Sequence, residues 1–137
     1  MKVTTYLNFP GNCQAALKFY ETALGARVRH LFPYRGSPLE SQVPAQMRDR
    51  VLHAVLDIGD TVIMASDRIG HTGSDAMNGF AIALNTETPA EAERLIAALA
   101  VGGRITRPLE ETFWARRFGM VVDQFGVPWM INCEKPM

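Results

Sequence analysis

The alternation of apolar and polar residues divides the chain into two runs of the same kind. Tyr6-Leu7-Asn8-Phe9 alternates with the period of a strand, and Cys13, Ala16, Leu17, Tyr20 and Leu24 follow at the spacing of one helix face. Gly25 ends that helix, and residues 26–32 alternate again as a strand. Residues 51–57 and 61–65, separated by Gly59-Asp60, predict a hairpin. The order then returns. Residues 80–84 predict a strand, and Thr88, Pro89 and Glu91 carry the signature of a helix start. Ala92, Leu95, Ile96 and Leu99 form the apolar stripe of this second helix, and Gly102-Gly103 stops it. Residues 104–106 give another strand, and residues 118–123 and 127–131 close the pattern as a hairpin around Gly126.

The two runs superimpose with small offsets. Asn8 maps to Asn85, Tyr20 to Ala97 and Gly25 to Gly102 at a shift of 77; Asp57 maps to Asp123 and Met64 to Met130 at a shift of 66. The 11 residues lost between these shifts fall between the second and third strands of the module, where the first half carries the longer segment. An internal repeat of this kind predicts an α+β fold of two tandem βαβββ modules, mostly antiparallel. Module 1 spans 1–67 and module 2 spans 78–137, joined by a linker over 68–77. Segment 34–50 holds Pro38 and Pro44 and shows no period. It reads either as a mobile surface loop or as a lid or partner-contacting arm.

Composition narrows the function classes. The 137 residues carry 14 Lys plus Arg against 14 Asp plus Glu. A neutral chain lacks the sustained positive field of a nucleic-acid binder or a polybasic membrane binder. No apolar run approaches the roughly 20 residues that span a bilayer, and the N-terminus shows no signal-peptide core. Cys13 and Cys133 stand 120 residues apart and form neither a disulfide framework nor a metal knuckle, so a cytoplasmic location is expected. Both read as buried thiols rather than nucleophiles. There is no glycine-rich dinucleotide or phosphate loop, no HExxH and no nucleophile elbow. His30, His53 and His71 stand at no metal-motif spacing.

Two places could carry chemistry. His53 lies mid-strand between apolar neighbours, and histidine is the side chain suited to proton transfer near neutrality. The alternative is a histidine hydrogen-bonded within the sheet. In residues 110–117, Trp114 could stack on a planar ligand, with Arg116 or Arg117 meeting an anionic group. The alternative is an anchored loop whose arginines contact Glu110 or Glu111.

Phe9-Pro10-Gly11-Asn12-Cys13, Phe19-Tyr20, Leu52-His53-Ala54, Met64-Ala65-Ser66-Asp67, the stretch from Glu111 to Gly119 and the closing Trp129-Met130-Ile131-Asn132-Cys133 resemble the PhnB-like branch of the vicinal oxygen chelate superfamily. That superfamily includes glyoxalase I, bleomycin-resistance proteins and extradiol dioxygenases. The resemblance implies a curved, open sheet built by the two modules, with the substrate on its concave face. It also implies metal ligands on the first and last strand of each module, which threading puts at Thr5, Met64, Ala81 and Met130. None is a histidine or carboxylate, nor is any immediate neighbour, so the usual divalent-metal site is expected to be absent and no cofactor is expected.

On the same threading the cavity face also holds Leu7, Phe9, Val62, Ser66, Ala83, Pro128 and Asn132, which suits a small-molecule pocket and a packed core equally. The expected ligand-binding residues are Phe9, Met64, Trp114, Arg116, Met130 and Asn132. The function implied is metal-independent binding of a small molecule. The runner-up is an enzyme using His53 as a base or as an unconventional metal ligand. A homodimer is expected, with neither nucleic acid nor membrane as partner.

Overall fold

The computed structural model describes residues 1–69 and 77–136. Most of the expected linker 68–77, with His71, lies outside the described residues. The chain divides into two compact units, Met1–Ser74 and Asp75–Met137.

In the first unit, β1 (Tyr6–Phe9), α1 (Cys13–Leu24), β2 (Arg27–Pro33), β3 (Val51–Ile58) and β4 (Thr61–Asp67) follow in order. The sheet runs β1-β4-β3-β2, with β1 parallel to β4 and the other neighbours antiparallel. Cys13, Ala16, Leu17 and Tyr20 are buried along one face of α1, as their spacing requires. Leu7, Phe9, Leu56 and Ala65 complete that core, and each large side chain withdrawn from water contributes about 1.5–3 kcal/mol. Gly25 ends α1 in the left-handed conformation, φ 66°. The α1 start is tied to the two central strands of the sheet. Asp67, buried at the end of β4, accepts from the backbone N–H of Cys13 and of Val51, both at 2.9 Å.

Burial pushes the Cys13 thiol up to about 12 from an ordinary 9.0, with the nearby Asp67 charge adding to the shift. A thiol held neutral in the fold but free to ionise when unfolded lends stability below pH 9 that is lost as pH rises toward 12. We therefore expect no labelling of Cys13 by thiol reagents at pH 8 until denaturant is added. We also expect the loss of stability between pH 9 and 12 to be shallower in Cys13→Ala than in the wild type, measured by denaturant unfolding at each pH.

The second unit repeats the plan with β5 (Ile82–Asn85), α2 (Pro89–Leu99), β6 (Arg104–Glu110), β7 (Ala115–Val122) and β8 (Pro128–Glu134). Its sheet runs β5-β8-β7-β6, again with a single parallel pair. Thr88 caps α2 by accepting from Glu91 N–H at 3.1 Å, and Ala92, Leu95, Ile96 and Leu99 are buried. Trp129, Ile131, Val121 and Val127 form the core beneath the helix. Asp123 holds the β7–β8 turn: its carboxylate accepts from Phe125 N–H and Val127 N–H and from Trp129 Nε1–H at 2.8 Å. No helix among the described residues is long and apolar enough to cross a membrane.

Segment 34–50 is built rather than structureless. It closes on itself through Tyr34 N–H to Arg50 O and Arg35 N–H to Arg48 O, and carries short 3₁₀ turns at Glu40–Gln42 and Ala45–Met47. Val43 is buried beneath it. β5 starts at Ile82 rather than at residue 80, whereas β6, β7 and β8 run longer than their patterns predict. β6 continues through Pro108 to Glu110 and β7 begins at Ala115, so Arg116 and Arg117 lie in a strand rather than in a loop.

Candidate functional site

Strand register decides which side chains share a face. In module 1, Tyr6 stands opposite Met64 and Asn8 opposite Ser66, whereas Leu7 and Phe9 stand opposite Ala65 and Asp67 on the side where Asp67 meets α1. Thr5, Leu7 and Phe9 are therefore out of step with Met64. Phe9 is fully buried in the helix-side core, not on the face turned away from the helix. The residues that take its place there are Tyr6 and Asn8. In module 2 the expected parity holds: Ala83 and Asn85 pair with Met130 and Asn132. The strand positions facing one another thus carry Tyr6 and Met64 in one module and Ala83 and Met130 in the other. Phenol, thioether and methyl groups are a poor donor set for a hard divalent cation. No group of three or more His, Cys, Asp or Glu among the described residues is placed to hold a metal ion.

His53 is half-buried on β3 and faces Tyr6. The Tyr6 hydroxyl lies 3.0 Å from Nδ1, and the two rings stack at 5.7 Å with 26° between their planes. His30 and Phe32, on the adjoining strand, stack at 5.9 Å. A hydroxyl-to-amide contact, Ser66 Oγ donating to Asn8 Oδ1 at 3.3 Å, joins β4 to β1 on this face. Module 2 carries its counterpart at the same repeat position, where Asn132 Nδ2 donates to Asn85 Oδ1 at 3.2 Å.

The polar handles expected near Trp114 are arranged differently. Thr112 Oγ1 accepts from the N–H groups of Trp114 and Ala115, a turn that presents the indole at the surface, 39% exposed. The indole meets Phe113 edge-on at 4.9 Å and Phe118 at 5.1 Å. Arg116 does not reach toward this cluster. Its guanidinium donates to the backbone carbonyls of Glu87 and Glu134 and fastens β7 to its neighbours. Arg117 pairs with Glu93 of α2 at 3.6 Å, and Glu111 takes Lys135 at 2.9 Å. The arginine that joins the aromatic cluster is Arg107, which sequence reasoning missed, its Cζ 5.0 Å from the centre of the Phe118 ring. A shallow depression on module 1 between Arg27, Arg29, Asp57 and Asp60 includes Val62 of the expected cavity face but none of the expected ligand-binding residues, and the Arg29–Asp57 ion pair lies on its wall.

Two successive βαβββ modules, each with the sheet order first–last–third–second strand, define a glyoxalase-like protein. The chain belongs to the Glyoxalase/Bleomycin resistance protein/Dioxygenase superfamily, which it matches over residues 4–131. It is similar to protein YjdN of Escherichia coli (strain K12), 36% identical over 143 residues that cover 98% of this chain and 97% of that one. Among solved structures, protein PA1353 from Pseudomonas aeruginosa is 42% identical, with a TM-score of 0.87 and 99% of each chain covered. A PhnB protein from Bacillus cereus shares the fold at 23% identity and a TM-score of 0.79, covering 97% of this chain and 99% of that one.

Proposed function

We propose that the chain binds a small organic molecule on a sheet face turned away from its helix, without a divalent metal. The observation that carries this reading is the side-chain chemistry of the facing strand positions. The threaded ligand positions Thr5, Met64, Ala81 and Met130 carry no histidine or carboxylate, and the register partners of the two methionines are Tyr6 and Ala83. On the module 2 face the Met120–Met130 pair adjoins the Phe118–Asn132 pair, and the half-exposed Trp114 indole meets Phe118, an apolar lining with an isolated amide of the kind usual in organic-ligand sites. The same reading takes the protein as cytoplasmic, in keeping with two free, buried thiols, and as a homodimer. Among the described residues each four-stranded sheet ends on strands paired on one side only, whose outer backbone groups a second copy can cover.

A second reading rests on the Tyr6–His53 contact. A phenol and an imidazole at 3.0 Å form a pair able to pass a proton, so His53 would act as a base with Tyr6 as its partner. A His53→Ala chain that keeps all ligand binding and all turnover removes this reading.

The main proposal is tested by a thermal-shift screen of planar aromatic compounds, with elemental analysis after soaking in zinc, nickel, manganese and iron. The expected outcome is a stabilising ligand whose effect is lost in Trp114→Ala, together with substoichiometric metal after washing. Stoichiometric retained metal, or a screen in which no compound stabilises the fold, overturns it.

A further inference from the structure

The second sheet holds an amide acceptor that the fold leaves without a donor. Asn132 uses Nδ2 to reach Asn85, while its Oδ1 is buried and has no hydrogen-bond partner among the described residues; the residue as a whole is 9% exposed. A buried carbonyl oxygen without a donor is rare in native proteins and costly, so its presence on a candidate ligand face points to a donor supplied from outside.

The register places that atom in a specific neighbourhood. Asn132 stands directly opposite Phe118, so their side chains rise next to each other on the same face. Phe118 is covered by the Arg107 guanidinium at 5.0 Å and met edge-on by Trp114 at 5.1 Å. Arg107 makes no ion pair or hydrogen bond among the described residues, so its N–H donors are uncommitted. Glu110, the outer-strand partner of Phe118, adds a negative charge to the same row.

We propose that this face of module 2 binds a planar aromatic ring bearing an N–H donor and a single carboxylate. The proposal rests on the small-molecule reading above and names its ligand class. The ring N–H donates to Asn132 Oδ1, the ring packs against the Trp114 indole, and the carboxylate meets Arg107. Glu110 disfavours a second negative charge on the ligand, which selects a carboxylate over a phosphate dianion. Met120 and Met130 form the next row on this face and are register partners. Their unbranched thioethers can rotate aside to admit a ring to the buried oxygen.

The test uses three probes in calorimetric titrations: indole-3-carboxylate, its N-methyl derivative and indole-3-carboxamide. The expected result is that the wild-type chain binds indole-3-carboxylate about tenfold or more tightly than either other probe, because each lacks one matched group. Asn132→Leu is expected to erase the preference over the N-methyl probe alone, and Arg107→Gln the preference over the carboxamide alone. Equal wild-type affinities overturn the proposal while leaving the small-molecule reading intact; an amide that merely held an internal water would give that result. Failure of indole-3-carboxylate to bind also overturns it, and the small-molecule reading then stands or falls on its own screen. If Asn132→Leu does not fold, the wild-type comparison of N–H and N-methyl probes decides.

Discussion

Replacing Asp123 by alanine is expected to lower the unfolding free energy by about 4 kcal/mol, a large share of the roughly 5–15 kcal/mol that holds a domain together. The carboxylate accepts from three donors at once, two backbone N–H groups of the β7–β8 turn and the indole N–H of fully buried Trp129. Removing it leaves these donors without their acceptor, and each buried unmet donor costs about 1–3 kcal/mol. Asp123→Asn separates the contributions. Its remaining oxygen can keep both turn N–H groups, which share Oδ1, but its amide nitrogen then opposes the indole N–H at Oδ2. A loss of about 2 kcal/mol is expected there, and Trp129→Phe is expected to remove most of the extra cost in the double variant. Urea unfolding of the four chains measures the cycle. Additive losses would show that the indole and the carboxylate act independently.

Gly103→Ala comes next in size, at about 3 kcal/mol. A Cβ at this position would lie 2.3 Å from the carbonyl oxygen of Val122 and 2.9 Å from the backbone of Asp123. These are backbone atoms of the neighbouring strand, so relief requires moving β7 rather than turning a side chain. Gly25 provides the contrast. Its φ of 66° favours glycine, but a Cβ there meets nothing within 4 Å, so Gly25→Ala costs only about 1 kcal/mol. If urea midpoints rank the two variants equally, the close approach at Gly103 is not what fixes that residue.

The helices, the succession of elements along each module and the repeat were legible because each rests on a period the core enforces. The Cys13–Ala16–Leu17–Tyr20 stripe and the Thr88–Glu91 cap are local signals, and both appear in the structure as the spacing predicts. The face of β1 was misread because a four-residue strand gives alternation but not direction, and both Leu7 and Phe9 fit a pocket as well as a core. The repeat held the remedy: a shift of 77 pairs Tyr6 with Ala83 and Leu7 with Leu84, which puts Leu7 on the helix side. Arg107 was illegible for a different reason. Pro108 reads as the end of a strand, whereas β6 is the outermost strand of its sheet and tolerates a proline. Arg116 looked available for a ligand because nothing in the sequence shows that the carbonyls of Glu87 and Glu134 converge on it. The Tyr6–His53 contact spans 47 residues and leaves no local trace.

The two helix starts are secured from very different distances along the chain. Thr88 reaches three residues ahead to close the first turn of α2, whereas the first turn of α1 is closed by Asp67, 54 residues away. Contacts near in sequence form before those that must first close a long loop. The carboxy-terminal helix can therefore nucleate as soon as its own segment exists. The amino-terminal helix, although synthesised first, stays frayed at its beginning until β4 has left the ribosome and docked. Asp67 still precedes Thr88, so the carboxylate that secures the first helix is made before the cap of the second.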